Sequence, residues 1–325
     1  MSSLPDRPTT RRAALSVLAV TAAAWSVGAR AQAAQELRIG FQKGSFNLVQ
    51  LKSLALLEAR LPGTRVSWVE FPAGPQLLEA LAVGSVDFGG VGDSPPVFAQ
   101  AAGKDLYYVG AEPAKPDSSA ILVKPDAPLK SLADLKGRRV ALQKGSSSHF
   151  LTVQALKKGG LSWSDVQAVY LPPADARAAF ERGAVDAWAI WDPYYAAAEV
   201  AGGVRVLATS RGLTNNNTFY LASRALTLRE PVLRTLFAVL TEADAHVQAH
   251  RKEAAQRYAD FAGLGLATVH RVLERRPPSP VGPLTAALVA EQQQVADAFA
   301  QLQLIPKPIR VADIVWRPGA AVASR

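Results

Sequence analysis

Two turns in the chain carry the same four residues, and their chemistry suits the binding of an anion. Gln42, Lys43, Gly44 and Ser45 follow the apolar segment LRIGF, and the same Gln-Lys-Gly-Ser letters recur at 143–146 after RVAL. Each turn leads into a helical pattern. A glycine lets the backbone approach a ligand closely, and the unpaired N–H groups at a helix start form an anion site. We therefore expect both turns to contribute to one binding site.

The second turn is the richer of the two in hydroxyl groups. Ser146, Ser147 and Ser148 occupy the predicted helix start, where they add hydrogen-bond donors without bulk. Ser45 is expected to cap the helix that follows the first turn. Two such helix starts facing each other across a cleft would hold a tetrahedral oxyanion, such as a sulfonate or a sulfate. An ordinary strand-to-helix connection is the simpler interpretation of a single turn, and the repetition favours ligand binding.

An aspartate stands at a corresponding place in each half of the chain. Asp93 follows Gly92 and precedes Ser-Pro-Pro, and Asp192 precedes Pro-Tyr-Tyr. Asp at an N-cap with Pro in the first turn is a strong helix start, so we predict that both carboxylates accept backbone N–H groups and orient the turns. Direct contact with the ligand is the alternative. We expect Trp191 to form an apolar wall against a ligand's carbon chain, and Trp188 to pack in the core.

The sequence offers little for catalysis or metal binding. It contains no cysteine, which excludes disulfides, zinc–thiolate sites and thiol nucleophiles. Of the four histidines, His246 and His250 lie four residues apart without the glutamate of a zinc-protease motif. His149 and Ser147 share one turn, which is a poor geometry for proton transfer. No glycine-rich dinucleotide motif follows a strand. We expect no catalytic residue, no metal and no cofactor.

Part of the basic excess of the chain lies at its N-terminus. The formal net charge is +9, and the basic residues are dispersed except for RVLERRPP at 271–278, so no nucleic-acid partner is expected. Arg11 and Arg12 precede an apolar run from Ala13 to Trp25, and two Ala-x-Ala sites follow. This pattern predicts an export signal, since the run is too short to span a bilayer. A retained anchor is the alternative, and both Sec and twin-arginine export stay open.

Two sequence segments, each present twice, divide the rest of the chain into similar halves. The repeated Gln-Lys-Gly-Ser turns lie about 100 residues apart, and so do the Gly-x-Val-Asp segments at 84–87 and 183–186. Each copy reads as strand, turn, helix and strand, which predicts two α/β domains built from βαβ units with parallel sheets. Ligands bind at the carboxyl ends of strands in such sheets. Two facing ends would enclose a cleft, where small-molecule sites are common.

The connections and the C-terminal part complete the predicted organisation. Extended segments within 110–132 and 214–226 are expected to be the two hinge strands between the domains, and the helical region from Leu228 to Leu304 to pack on the first domain. The predicted divisions are an export signal at 1–33, a discontinuous first lobe at 34–118 and 215–325, and a second lobe at 119–214.

Several segments resemble one family of binding proteins. They are SWVEFPAGPQLLEAL, VGDSPPVFAQAAG, VALQKGSSSH, PADARAAF, VDAWAIWDPYY and the late RRPP. Together they resemble the aliphatic sulfonate-binding proteins of bacterial ABC importers, within the wider nitrate, taurine and sulfonate group. The resemblance implies a type II periplasmic-binding fold, two lobes with two hinge crossings that close on the ligand. Val91 and Ser94 depart from the expected Thr and Ile, which leaves the size of the ligand open.

The resemblance also implies a function. It implies a periplasmic, monomeric protein that binds an alkanesulfonate and delivers it to an ABC permease and ATPase at the inner membrane for sulfur acquisition. Taurine, nitrate, an aromatic sulfonate or a sulfate ester are alternative ligands. An enzyme on the same fold that makes a thiamine pyrimidine precursor is a further alternative, which the export signal and the missing cysteine disfavour. The expected ligand-binding residues are Gln42, Lys43, Gly44, Ser45, Gly92, Asp93, Ser146, Ser147, Ser148, Trp191 and Asp192.

Overall fold

The chain forms two five-stranded sheets, each with its own helices. A computed structural model describes residues 35–319, so the predicted export signal at 1–33 lies outside the described residues. Lobe 1 is defined here as the first sheet with the helices packed on it, and lobe 2 as the second sheet with its helices. None of the helices within 35–319 is both long enough and apolar enough to cross a membrane.

The sheet of lobe 1 is mixed. Its strands are β1 (Gln35–Phe41), β2 (Thr64–Glu70), β3 (Phe88–Val91), β4 (Tyr107–Glu112) and β10 (Thr218–Ala222), in the spatial order β2-β1-β3-β10-β4. Strand β1 pairs in parallel with β2 and β3, whereas β10 runs antiparallel to β3 and β4. The first helices of this lobe are α1 (Phe46–Ser53), α2 (Leu56–Arg60), α3 (Gly74–Ala82) and α4 (Ser94–Ala101).

The sheet of lobe 2 repeats this plan. It contains β5 (Ser119–Val123), β6 (Arg139–Leu142), β7 (Gln167–Tyr170), β8 (Ala187–Trp191) and β9 (Arg205–Thr209), in the order β7-β6-β8-β5-β9. Strand β6 pairs in parallel with β7 and β8, and β5 runs antiparallel to β8 and β9. Its helices are α5 (Ser147–Lys158), α6 (Pro173–Glu181) and α7 (Tyr194–Ala201), with short 3-10 turns at Leu132–Leu135 and Trp163–Asp165.

The prediction of parallel sheets is therefore wrong for one inner strand in each sheet. The extended segments expected as hinge strands are β5 and β10, and each lies within a sheet. The chain enters each of these strands from the other lobe, so its direction opposes that of the βαβ strands. The links that cross between the sheets are the short segments 113–118 and 210–217.

The aspartates of the two Gly-x-Val-Asp segments make the same contacts in the two sheets. The Asp87 carboxylate accepts from the backbone N–H and the guanidinium of Arg38, at 2.8 and 2.7 Å. Asp186 accepts from the backbone and guanidinium of Arg139, at 2.8 and 2.9 Å. Each pair ties an inner strand, β1 or β6, to the turn before its neighbour, β3 or β8. This repeated segment is thus a structural tie and contributes nothing to the cavity between the lobes.

The C-terminal helices pack on lobe 1, as the sequence predicts. They are α8 (Arg224–Thr227), α9 (Glu230–Ala249), α10 (Arg251–Ala262), α11 (Leu266–Arg275) and α12 (Ala286–Gln301), followed by a 3-10 turn at Val311–Ile314. Leu236 and Leu240 of α9 are buried in one cluster with Phe41 and Leu48. Phe299 of α12 is buried against the other face of the sheet. Helix α11 also contacts α7 of lobe 2.

Candidate ligand site between the lobes

A cavity of about 100 Å³ lies where the carboxyl ends of the central strands of the two sheets face each other. Eight of the eleven predicted site residues line it: Gln42, Gly44, Ser45, Gly92, Ser146, Ser147, Trp191 and Asp192. The cavity draws residues from both halves of the chain, because each turn follows a strand that ends at this edge of its sheet. The expected convergence of the two turns is observed.

Three predicted residues do not line the cavity. The Lys43 backbone carbonyl accepts a hydrogen bond from the Tyr258 hydroxyl. Ser148 is fully buried, and its hydroxyl pairs with that of Ser146 at 2.8 Å. Asp93 is buried beneath the turn, where its carboxylate accepts from the Ser94 hydroxyl at 2.8 Å. The side chains of Ser148 and Asp93 thus support the turns from behind, and Lys43 does so through its backbone.

The first turn does not cap its helix as predicted. The Ser45 hydroxyl accepts from the backbone N–H of Gln42 at 3.1 Å and makes no capping bond to α1. The Gln42 side chain donates to the Gly90 carbonyl at 3.0 Å, which joins the end of β1 to β3. The Ser45 side chain thus braces the turn, and the Gln42 side chain fixes the turn to the neighbouring strand.

In the second turn, the hydroxyl of Ser146 is bonded within the turn, whereas Ser147 lines the cavity. Ser146 donates to the Gln143 carbonyl at 2.7 Å, which occupies its hydroxyl within the turn. Ser147 is the first residue of α5 and lines the cavity. Its N–H has no acceptor within the helix, as for the first residues of every helix. Ser147 therefore presents a helix N-terminus to the cavity, where the helix dipole favours a negative charge.

Only one of the two aspartates accepts a backbone N–H from the first turn of the following helix at the helix-capping distance in sequence. Asp192 is not the N-cap of α7, which is Pro193. Its Oδ1 nevertheless accepts from the Ala196 backbone N–H in the first turn at 3.0 Å, so its carboxylate accepts a backbone N–H as predicted. Asp93 makes no such bond, because its backbone is already helical with φ −67° and ψ −41°. An N-cap side chain reaches its target from extended backbone. The prediction for Asp93 is therefore wrong.

Two glycines set how closely the lobes approach each other. A Cβ at Gly92 of lobe 1 would lie 1.9 Å from Ser147 Oγ of lobe 2. A Cβ at Gly44 would lie 2.9 Å from the Asp192 carbonyl oxygen and 3.4 Å from Trp191 Cδ1. A side chain at Gly44 would press on the backbone of lobe 2, and one at Gly92 would require the Ser147 hydroxyl to move. These glycines permit contact between lobes as well as access for a ligand.

The two tryptophans occupy the different environments predicted for them, Trp188 in the core and Trp191 at the cavity. Trp188 is 1% exposed and packs beside Phe180, with ring centroids 6.0 Å apart. Trp191 is partly exposed, lines the cavity and meets Tyr194 edge to face at 6.4 Å. Trp191 thus provides apolar surface in the cavity.

A buried charged cluster lines the same cavity, and the sequence analysis missed it. Glu112 accepts from Lys115 Nζ at 3.0 Å and from Arg276 Nη2 at 3.2 Å. It also accepts from the Tyr220 hydroxyl at 2.6 Å and from Asn47 at 3.1 Å. Burial alone would raise the pKa of Glu112, but Lys115 and Arg276 lower it to about 2. The cluster thus places two cationic side chains around one carboxylate.

Only weak signals of this cluster are present in the sequence. Arg276 belongs to the basic run at 271–278, which suggested nothing beyond charge, and Glu112 and Lys115 lie in a proline-rich connection. The segment meets the cavity because 113–118 is the first crossing between the sheets. No spacing rule links Arg276 to Glu112, which lies 164 positions earlier in the chain.

Two cavity-lining side chains hold a buried polar atom with no hydrogen-bond partner among the described residues. One is the donor Nε of Arg276, and the other is the acceptor Oδ2 of Asp192. Arg276 is 8% exposed, and its guanidinium lies over the Phe46 ring at 5.3 Å. Unpaired buried donors and acceptors are costly. Both atoms therefore call for a polar partner.

Arg275, the neighbour of Arg276, ties lobe 1 to lobe 2. Its Nη1 lies 3.2 Å from Asp192 Oδ1, and its Nη2 contacts Glu199 of α7. The guanidinium also lies over the Tyr195 ring at 3.7 Å. Burial raises the pKa of Asp192 to about 7, against the opposing charge of Arg275. These contacts hold α11 against α7 beside the cavity.

The histidine beside the serine turn is a packing residue. His149 is fully buried between the lobes, where its ring contacts Phe98 of lobe 1 and Trp163 of lobe 2. Its Nδ1 accepts from the Gly145 backbone N–H at 3.2 Å. Burial lowers the pKa of His149 to about 3, so the ring is neutral near pH 7. Among residues 35–319, no cluster of His, Asp or Glu has the arrangement of a metal site.

Comparison with known proteins places the chain in a family. A family model described as NMT1/THI5 like matches residues 63–263. The structure is similar to that of the alkanesulfonate-binding protein SsuA from Xanthomonas axonopodis pv. citri bound to MOPS. The sequences are 49% identical, and the TM-score is 0.85 over 87% of this chain and 98% of that chain. The expected two-lobed α/β fold of periplasmic binding proteins is confirmed.

Two relatives from Escherichia coli extend the comparison. The periplasmic aliphatic sulphonate binding protein SsuA is 49% identical with a TM-score of 0.81, over 90% of this chain and 95% of that chain. The taurine-binding periplasmic protein of strain K12 is 32% identical over 146 residues, 45% of each chain. The family model and the full-length similarity to SsuA confirm the resemblance seen in the sequence: the chain belongs to the NMT1/THI5-like family, on the branch of the aliphatic sulfonate-binding proteins.

Proposed function

We propose that the protein is the periplasmic substrate-binding component of an ABC importer and binds aliphatic sulfonates in the cavity between its lobes, for sulfur acquisition. The observation that carries the proposal is the buried Arg276, which lines the cavity in a cluster with Lys115 and Glu112. Its Nε is buried without a hydrogen-bond partner among the described residues. The similarity to two sulfonate-binding proteins over most of the chain supports the choice of anion.

The charge of the cavity suits a sulfonate in particular. A sulfonate carries one negative charge spread over three oxygen atoms. The cluster of Glu112, Lys115 and Arg276 offers about one excess positive charge, and the N-terminus of α5 at Ser147 adds a partial one. A charged acceptor gains more from such donors than a neutral one does. A phosphate dianion would leave a charge uncompensated.

The cavity also contains apolar surface for a carbon chain. Phe46, Pro95, Trp191 and Val272 line it together with the polar groups. Each buried methylene contributes about 0.8 kcal/mol, so the apolar wall favours an organic sulfonate over inorganic sulfate. The MOPS bound to the Xanthomonas protein is an organic sulfonate of this kind.

The remaining parts of the proposal follow from the family. We propose that the protein acts as a monomer without catalysis and delivers its ligand to a permease and an ATPase at the inner membrane. Export to the periplasm rests on the predicted signal at 1–33. The turns and the charged cluster suit an anion, and His149 is fully buried outside the cavity lining, where it is not placed to activate Ser147 as a nucleophile.

A calorimetric screen tests the proposal. Protein that has been unfolded, dialysed and refolded is titrated with ethanesulfonate, pentanesulfonate, taurine, 4-toluenesulfonate, methyl sulfate, nitrate and inorganic sulfate. We expect the alkanesulfonates to bind and inorganic sulfate and nitrate to bind at least tenfold more weakly. Binding of nitrate alone would contradict the proposal.

The Arg276→Gln variant tests the observation on which the proposal rests. We expect it to weaken sulfonate binding by about 1.5–3 kcal/mol, because a hydrogen bond to a charged group is lost. The matched control is Arg60→Gln, which removes an exposed arginine paired with Glu242 far from the cavity lining. If Arg276→Gln binds the sulfonate as tightly as Arg60→Gln does, the anion does not bind at Arg276.

A further inference from the structure

His149 lies at a point where the two lobes meet. It is the third residue of α5 and is fully buried. From lobe 2, the rings of Trp163 and Tyr170 lie 4.8 and 5.8 Å from the imidazole, centroid to centroid. From lobe 1, the rings of Phe98 and Phe299 lie 5.8 and 5.1 Å from it. Part of the shell that keeps water from this histidine therefore belongs to the opposite lobe.

The same ring fixes the serine turn. His149 Nδ1 accepts the Gly145 backbone N–H at 3.2 Å, in the turn whose Ser146 and Ser147 line the cavity. Phe98 of lobe 1 reaches this turn as well, since a Cβ at Gly145 would lie 3.3 Å from the Phe98 Cγ. Contact of lobe 1 with His149 thus holds in place a turn that forms one wall of the cavity.

The hydrogen bonding of the ring suits its neutral form. Because Nδ1 accepts a bond, the proton of the neutral ring is on Nε2, which is buried without a partner among the described residues. A second proton would go to Nδ1 and set two donors against each other at the Gly145 N–H. The geometry around His149 thus disfavours the charged ring while the lobes are in contact.

The groups of lobe 2 near His149 do not compensate a positive charge. Lys144 of the same turn carries a positive charge, which adds to burial in lowering the pKa of His149 to about 3. Burial raises the pKa of Tyr170 on β7, so its hydroxyl stays neutral. Asp165, beside Trp163, is bonded within its own 3-10 turn.

Lobe 1 does not compensate a positive charge either. Helix α4, which carries Phe98, contains no titratable side chain, and Asp93 before it is bonded to the Ser94 hydroxyl. On α12, Asp297 is exposed and accepts from the side chain of Gln293. In the part of the chain that the structure describes, no carboxylate thus stabilises a charged His149.

We propose that the lobes close only around a neutral His149, which positions the serine turn for the ligand, so that sulfonate binding in mild acid releases a proton from this ring. This inference rests on the proposed function. With the lobes apart, Phe98 and Phe299 no longer cover the ring, which then titrates near its ordinary pKa of about 6.5. This contribution to the affinity is complete above that pKa and declines as the pH falls toward the closed-form value of about 3.

Nuclear magnetic resonance of the histidine rings tests the proton release. Refolded wild-type protein is titrated from pH 7.5 to pH 5 with and without saturating pentanesulfonate, which stays ionised over this range. Gln variants of His246, His250 and His270 assign the His149 signals by elimination. We expect the ring to titrate near pH 6.5 in the free protein and to stay neutral at pH 5 in the complex. A ring that titrates in both forms, or in neither, would overturn the inference.

The ratio of the affinities at pH 7.5 and pH 5.5 gives a second test. We expect this ratio to be roughly tenfold larger in the wild type than in His149→Asn. The amide oxygen of the variant can accept the Gly145 N–H but takes up no proton. Other titrating groups of the cavity, such as Asp192, are present in both proteins and cancel in the comparison. The matched control is His250→Gln, which removes an exposed histidine outside the cavity lining and should keep the wild-type ratio.

The His149→Phe variant tests the positioning role. It fills the space of the ring but leaves the Gly145 N–H unpaired, so we expect at least fivefold weaker sulfonate binding than in His149→Asn at pH 7.5. Thermal melts without ligand establish that both variants fold. Equal affinity of the two variants would overturn the positioning role.

The outcomes separate this inference from the proposed function. Equal pH ratios in the wild type and His149→Asn, with sulfonate bound by both, would overturn the inference and leave the proposed function standing. If His149→Asn does not fold, the ring titration of the wild type decides. If no sulfonate binds the wild type at pH 7.5, the inference falls together with the proposed function.

Discussion

At the scale of single residues, the aspartates that the two halves repeat are structural, and other residues line the cavity. Asp87 and Asp186 recur because each ties two strands of its own sheet. Two cavity-lining residues have no counterpart in the repeated segments: Trp191 of lobe 2 and Arg276, which follows α11 of lobe 1. The two lobes thus share a scaffold, while the cavity between them is asymmetric and presents different groups to the two ends of a ligand.

Replacement of Trp191 by Ala should change how affinity depends on chain length. In the wild type, affinity should rise by about 0.8 kcal/mol per methylene until the apolar part of the cavity is filled. Without the indole this slope should flatten, so longer alkanesulfonates lose more than methanesulfonate. Trp188→Ala is the control, since its buried ring should cost about 3–5 kcal/mol of stability without changing the slope. Titration and thermal melts measure both. An unchanged slope in Trp191→Ala would remove the residue from the site.

The buried Glu112 should make stability depend on pH in acid. Its folded pKa of about 2 lies below the unfolded value, so the ionised form stabilises the folded state. That contribution is present above the unfolded pKa of about 4.3 and is lost as the pH falls through about 2. Urea unfolding at pH 6 and pH 3 should show a larger loss in the wild type than in Glu112→Gln. Equal losses would mean that other carboxylates dominate.

At the scale of elements, the cavity lies where turns of lobe 1 contact helix starts of lobe 2. The start of α5 reaches the glycine after β3, and Asp192, just before the cap of α7, reaches the first turn of lobe 1. In both contacts the lobe 1 residue is a glycine, Gly92 or Gly44. The turn residues therefore have two roles, since they line the cavity and set how closely the lobes approach.

The Gly92→Ala variant should hinder this approach. Its methyl group would overlap Ser147 Oγ, which lies 1.9 Å from the position of a Cβ. We expect sulfonate affinity to fall at least tenfold while the melting temperature of the ligand-free protein changes little, because open lobes avoid the overlap. Gly265→Ala is the matched control, since a Cβ there meets nothing within 4 Å. Wild-type affinity in Gly92→Ala would show that the lobes need not come this close.

At the scale of the whole molecule, two short crossings connect lobes that meet through a small number of side chains. The links 113–118 and 210–217 are the covalent connections between the sheets. Across the cleft, Arg275 binds Asp192 and Glu199, and Phe98 and Phe299 pack on His149. Such an arrangement suits a hinge closure around a ligand.

Scattering measures this closure. The radius of gyration of refolded, ligand-free protein should decrease when a saturating alkanesulfonate is added. Arg275→Gln should reduce the fraction of closed protein at the same ligand concentration, because one tie across the cleft is lost. Identical scattering curves with and without a ligand that calorimetry shows to be bound would contradict hinge closure.

The sequence by itself determined the two-lobed α/β plan and eight of the residues that line the cavity. These depend on local chemistry: apolar strands, glycine turns and serine helix starts place their residues at strand ends in any such fold. Only the tertiary structure revealed the antiparallel strands β5 and β10, since strand direction depends on where the chain enters a sheet. It also brought Arg276 to Glu112, because a buried ion pair between distant segments leaves no periodic trace in the sequence. Asp93 and Asp192 stand in similar sequence contexts, and their different roles follow from backbone angles and neighbours that the fold alone sets.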